Sequence, residues 1–241
     1  MRKATLSPFQ VEKLKYYFHF FEPNSDGSLD ITSVDRLMKR VLTFTNWDPK
    51  GTKAKECEEI HHAFFEVLFE KARVKPGGAK TISLEVWLNM WASVLQGCMG
   101  VHHFPIWLRI LPKTLFNMID RNNDSVVGPT ELVAFYRDMV NIPEQEAEAR
   151  ALYAYDQMTD SGRWPLNIES YEMIFSNFLI GKTPFGPGRH IFGCFEHNAQ
   201  KFELIQPATD NEKEDVTPLV KPAIPWEKPK PKRQNSRGNF F

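Results

Sequence analysis

Asp120-Arg121-Asn122-Asn123-Asp124-Ser125-Val126-Val127-Gly128-Pro129-Thr130-Glu131 sets side-chain oxygens at the first, third, fifth and twelfth places of a twelve-residue run. When a loop of that length coils, Asp120, Asn122 and Asp124 turn inward together, the Val126 carbonyl follows at place seven and Gly128 marks place nine. Glu131 then supplies two oxygens at once and closes a cage for one hard divalent cation, Ca²⁺, with Mg²⁺ as a competitor. The expected metal residues are therefore Asp120, Asn122, Asp124, Val126, Gly128 and Glu131. No apolar core calls for this spacing. Val127, at place eight, is the apolar residue through which two such loops pair as a short ladder. Leu115 with Ile119 before the loop, and Leu132 with Phe135 after it, mark amphipathic helices on either side. Place six demands a positive φ and is usually glycine; Ser125 stands there, at a cost of about 1 kcal/mol relative to Gly.

The run is an EF-hand loop, and three further segments repeat its helix-loop-helix pattern. An earlier loop begins Glu22-Pro-Asn24-Ser-Asp26-Gly27-Ser28-Leu29-Asp30 and ends on Ser33. It keeps the glycine at place six but lacks the two-oxygen carboxylate at place twelve, so weak Ca²⁺ binding or none is expected through Glu22, Asn24, Asp26, Ser28 and Asp30. A second hand spans Phe64 to Trp91. Its Gly77-Gly78 turn is flanked by Lys75 and Lys80 and holds no acid, which makes it a silent partner whose ladder residue is Ile82 and whose exiting helix starts at Trp87. The fourth hand runs from Tyr155 through Leu166 into Glu172-Met-Ile-Phe. Leu166 fits the ladder, yet twelve places from Asp156 falls on Asn167, so this loop carries extra residues; Asp156 and Asp160, with Glu169 closing, are its candidate ligands.

These units predict an all-α protein of four EF-hands in two paired lobes: an N-terminal pair over 7–100, a C-terminal pair over 101–206, and a tail over 207–241. Six of the seventeen prolines fall in that tail, and Lys228, Lys230, Lys232, Arg233 and Arg237 give it a basic end. An extended, disordered tail is expected, either solubilising or weakly attracted to an acidic lipid surface or a protein partner.

Composition narrows the function. Thirty basic residues balance thirty acidic ones, which leaves no whole-protein field for nucleic acid. No apolar run approaches about 18 residues, and the opening residues carry no secretion signal. Cys57, Cys98 and Cys194 are too few for a disulfide framework. A monomeric cytoplasmic protein with free thiols follows from these features.

The chain resembles the invertebrate sarcoplasmic calcium-binding proteins, and among them the calexcitins. The likeness is carried by the loops Glu22 to Ser33 and Asp120 to Glu131, the Trp87 to Trp91 helix and the closing stretch Pro187-Gly-Arg-His-Ile-Phe-Gly193, and covers about residues 7–195. It implies four hands packed face to face, with hand two silent and Ca²⁺ or Mg²⁺ in some of the others. Ser33, Ser125 and the stretched fourth loop depart from the family pattern and imply fewer ions.

Function is then a Ca²⁺ buffer or a calcium-signalling protein, and not an enzyme. The 19 Phe, 6 Trp and 6 Tyr outnumber the 8 Met, which disfavours the wide opening of a methionine-lined sensor. Two other readings stand beside it. Ser176-Asn-Phe-Leu-Ile-Gly181-Lys182-Thr183 ends like a nucleotide-binding phosphate loop, as a small-molecule kinase on this scaffold would require, but it lacks the first glycine and a preceding strand; it reads as a helix end capped by Gly181. Aromatic residues between the lobes could instead line a cavity for an apolar ligand, although filling a core is the commoner use. The adjacent pairs His61-His62 and His102-His103 diverge on a helix and read as core or solvated residues.

Overall fold

The computed structural model describes residues 5–72 and 80–193, which belong to one contact unit. Eight α-helices follow in order among these residues: α1 Pro8–Phe20, α2 Thr32–Thr45, α3 Thr52–Lys71, α4 Leu84–Val94, α5 Ile106–Ile119, α6 Pro129–Asp138, α7 Glu144–Thr159 and α8 Ile168–Ile180. They form four successive helix-loop-helix units. Two-residue strands β1 (Ser28–Leu29) and β2 (Ile82–Ser83) join the first two loops antiparallel, with Leu29 opposite Ile82. The third and fourth loops meet through one bond, the Val127 N–H donating to the Leu166 carbonyl at 2.9 Å. The all-α EF-hand architecture and the ladder residues Ile82, Val127 and Leu166 are those the sequence indicates; Leu29 joins them as the partner of Ile82.

Local chemistry explains the helix ends. Ser7 and Gln10 form a reciprocal capping box at the start of α1, with Pro8 in the first turn where its missing N–H costs nothing. The helix of the second hand begins at Leu84 and not at Trp87, because the Ser83 hydroxyl accepts the Val86 N–H and starts it three residues earlier. Asn167 caps α8 in the same way by accepting from the Ser170 N–H.

The core is aromatic. Tyr17 of α1 is surrounded by Trp87 at 5.5 Å, Phe192 at 5.1 Å, Phe178 at 5.9 Å and Phe175 at 6.4 Å between ring centroids. The Trp87 indole N–H is satisfied by the Leu14 carbonyl at 2.9 Å, which ties α4 to α1. Buried Lys13 and Gln10 bring first and last hands together: the ammonium donates to Gly181 O at 2.8 Å and the amide to Leu179 O at 3.1 Å, covering the C-terminal carbonyls of α8. Gly181 is the cap residue, as expected, but its φ is −59° and not left-handed. Glycine is needed there for another reason, since a Cβ would lie 2.6 Å from Asn177 O. Ser176 to Ile180 are the last turns of α8, so the phosphate-loop reading of that segment does not hold.

The second-hand turn over 73–79, Cys194 and the tail over 207–241 lie outside the described residues.

Candidate metal centre

Loop three lies between α5, whose Leu115, Phe116 and Ile119 are buried, and α6, which buries Leu132 and Phe135. With both helices fixed by packing, the nine residues between them, Asp120 to Gly128, must turn tightly. Asn123 and Ser125 take positive φ of 60° and 70°, the latter at the place where the spacing requires it.

The side chains that carry charge face into this turn. Glu131 is buried; its Oε1 accepts from the N–H groups of Arg121 at 2.8 Å and Asn122 at 3.2 Å, and its Oε2 accepts from the Gly128 N–H at 2.9 Å. Buried Asp120 accepts from the Asp124 N–H at 3.2 Å and the Ser125 N–H at 3.1 Å. Asp124 receives the Val126 N–H and the Asn122 side-chain amide, both at 2.9 Å. Three carboxylates and one amide oxygen, at places one, three, five and twelve, thus each accept from backbone N–H donors within the loop. Among the described residues no three His, Cys, Asp or Glu side chains form a ready-made cage. Each of these carboxylates is instead satisfied by nearby amide N–H groups of the loop. The donor set itself, all hard oxygens with one glutamate able to chelate, fits a divalent cation of the calcium kind.

Loop one departs from this arrangement. Its Gly27 takes φ 77° as the pattern requires. The space the ligands enclose, however, is taken by a guanidinium. Arg36, one turn into α2, places Nη2 at 2.8 Å from the Glu22 carbonyl, the Asn24 Oδ1 and the Ser33 Oγ, which are places one, three and twelve. Its Nη1 lies 2.8 Å from the Thr32 hydroxyl, which donates in turn to Asp30. Asp26 is spent on Ser28, and Asp30 also receives the Asn24 amide at 2.9 Å. Those bonds hold the Asp26 carboxyl below its ordinary value. Arginine thus supplies the positive charge inside this loop. The spacing of ligands alone did not reveal it, because a scan for oxygen ligands passes over a basic residue.

In loop four the expected carboxylates point apart. Asp156 is exposed within α7, Asp160 pairs with Arg163 at 3.2 Å, and Glu169 accepts from the Asn167 amide at 3.0 Å. The extra residues are accommodated by three successive positive φ angles at Asp160, Ser161 and Gly162.

The buried Cys57 and His61 do not form a reactive pair. Burial pushes the Cys57 thiol up to about 12 and holds His61 down at about 4, while the His61 ring N–H donates to the Cys57 carbonyl at 2.8 Å. Three buried polar side-chain atoms, Trp91 Nε1, Tyr171 Oη and Ser176 Oγ, have no hydrogen-bond partner among the described residues.

Comparison with known proteins agrees with this architecture. No family model matches the chain. Sarcoplasmic calcium-binding proteins I, III and IV of Branchiostoma lanceolatum are 25% identical over 175 residues, 72% of this chain and 91% of theirs. The solved structure of a sarcoplasmic calcium-binding protein from amphioxus superposes with a TM-score of 0.64 at 22% identity, over 80% of this chain and all of that one. Calcium-loaded apo-aequorin from Aequorea victoria gives a TM-score of 0.54 at 18% identity, over 73% and 93%. No helix among the described residues is long and apolar enough to cross a membrane. In sequence and in fold together, the chain is similar to the sarcoplasmic calcium-binding proteins and shares their all-α EF-hand fold.

Proposed function

We propose that this protein binds Ca²⁺ in the third hand and acts as a calcium buffer. Asp120, Asn122 and Asp124 would hold the ion with their side chains, Val126 with its carbonyl, Gly128 at the ninth place and Glu131 with both carboxylate oxygens. The observation that carries this reading is the inward fold of Glu131 onto the Arg121, Asn122 and Gly128 amides, which sets a chelating carboxylate inside the loop. The relatives named above are calcium-binding proteins in their own right, and that supports the same ion here.

When bound, the ion supplies the charge that lets three carboxylates share one small volume. The chain provides the rest. Val127, joined to Leu166, and the helix anchors Ile119 and Leu132 limit how far the loop can move, so capture tightens the turn locally. Tyr17 and its ring of aromatic neighbours join α1, α4 and α8, and separating them would uncover several large side chains. Buffer hands barely open on binding, whereas sensor hands expose a groove. A signalling role through a limited surface change is the finer alternative. Loop one, occupied by Arg36, and loop four, whose acids diverge, take no ion at ordinary calcium levels.

Calorimetric titration with Ca²⁺, repeated with Mg²⁺ as competitor, tests this reading on the parent and on Glu131→Gln. One dominant event in the parent and none in the variant is expected, with no rise in apolar-dye fluorescence during the titration. Equal events that survive the substitution would overturn the assignment to loop three, and a dye response would favour the signalling alternative.

A further inference from the structure

A second site lies beside the third loop and carries the opposite charge. Lys39 and Arg40 of α2, Arg121 of the loop, and Arg137 at the end of α6 line a cavity of about 410 Å³, with Phe44 on one wall and Asp138 as its one acid. Its parts are held by several elements at once. Arg40 donates to the Met139 carbonyl at 3.1 Å and to the Phe20 carbonyl, and its Nε lies 3.2 Å from Glu22. Arg121 lies over the Phe44 ring, 5.1 Å from its centroid, a contact that fixes the guanidinium plane without consuming its N–H donors.

The charges do not cancel. Arg137 is forked onto Asp138 at 2.6 and 2.8 Å, and Arg40 faces Glu22, so each of these cations has an acid beside it. Lys39 and Arg121 have no carboxylate within ion-pair distance among the described residues. Asp138 reports the resulting field, since its carboxyl is held below the ordinary value by the Arg137 hydrogen bond and, further off, by Arg121. Two uncompensated positive charges converge on a space far larger than a water molecule. A single carboxylate would neutralise only one of them. A doubly charged phosphoryl group matches both, and its oxygens suit a guanidinium fork beside an ammonium. The remaining volume leaves room for the organic part that carries the phosphate.

We propose that this cavity is a binding site for a phosphoryl group, borne either by a small soluble molecule or by a phospholipid headgroup. The site needs no cation in loop three, because none of its charged side chains belongs to that cage. Pyrophosphate titration of the full chain by calorimetry, in chelator, tests it. Vesicles of phosphatidylcholine, plain or doped with a phosphoinositide, form a second arm that separates the two sources. The basic tail could also attract phosphate, so the variants decide. Lys39→Gln with Arg121→Gln removes both free charges from exposed positions and should weaken binding by at least about tenfold. Asp138→Asn removes the lone repelling acid and should tighten it, a gain that misfolding cannot produce. Binding of pyrophosphate alone identifies a soluble ligand; sedimentation with doped vesicles alone, lost in the double variant, identifies a headgroup. The proposal is overturned if neither probe binds, if the double variant binds like the parent, or if Asp138→Asn weakens binding.

Discussion

Arginine in place of a metal makes a sharp prediction for the first hand. Its Nη2 carries two hydrogens yet lies 2.8 Å from three oxygens, so it acts on Glu22, Asn24 and Ser33 much as a point charge would. A bond from a charged donor contributes about 1.5–3 kcal/mol when buried, but this loop is partly exposed and water can replace some donors. Loss of the whole cluster in Arg36→Ala should therefore cost about 2 kcal/mol, a fall in Tm of roughly 4–8 °C for a chain of this size. Ser33→Glu alone restores the place-twelve carboxylate but sets it against the guanidinium, and the two should pair internally with no gain in calcium binding. Only Ser33→Glu combined with Arg36→Ala frees a complete ligand set, and it should add a second calorimetric Ca²⁺ event to the one from loop three. Calcium should then recover the lost stability of the double variant by mass action. An Arg36→Ala protein that melts with the parent, or a second event already present in Ser33→Glu alone, would refute the reasoning.

Two further outcomes follow from the geometry. Ser125 holds φ 70°, and replacing it with glycine removes that strain while adding freedom to the unfolded chain. Ser125→Gly should gain about 0.5–1 kcal/mol in thermal melting, and a loss would show that the serine side chain makes a contact the turn needs. Acid sensitivity should arise from His61 and His190, whose rings burial holds at about 4 against an ordinary value of 6.5. Below pH 6.5 the unfolded chain takes up protons that the folded one refuses. Stability therefore falls between pH 6.5 and 4 by up to about 1.4 kcal/mol per pH unit for each histidine, and levels off below that window. In denaturant titrations across this range, His61→Gln should remove about half of the slope; an unchanged slope would assign it to other groups.

The residues of loop three made its turn legible because ligand spacing is a local property. The positive φ at Ser125, the Val127 pairing and the flanking helices all follow from a dozen neighbouring positions. The ladder residues Ile82 and Leu166 were equally readable, since each sits at a fixed distance from its loop. What was not legible is contact between distant parts. Arg36 entering loop one depends on the pitch of α2 after Ser33, and a scan for oxygen ligands passes over a basic residue. The divergence of Asp156, Asp160 and Glu169 depends on how the chain spends three left-handed residues. Gly181 was placed correctly for the wrong reason, because close approach to Asn177 is a tertiary fact. The phosphoryl cavity draws on α2, loop three and α6, so no linear stretch announces it.

The clasp of Gln10 and Lys13 on the end of α8 has a consequence for how the chain is made. The face of α1 that carries these two side chains leaves the ribosome some 170 residues before its partner carbonyls do. At about 5–20 residues per second, that leaves the opening helix waiting on the order of ten to thirty seconds for its seat. During that interval Tyr17 and its apolar neighbours have only the second hand to shield them. Nascent protein would therefore be exposed to association along α1, and emergence of α8, not of the first pair of hands, would be the moment at which that face is covered.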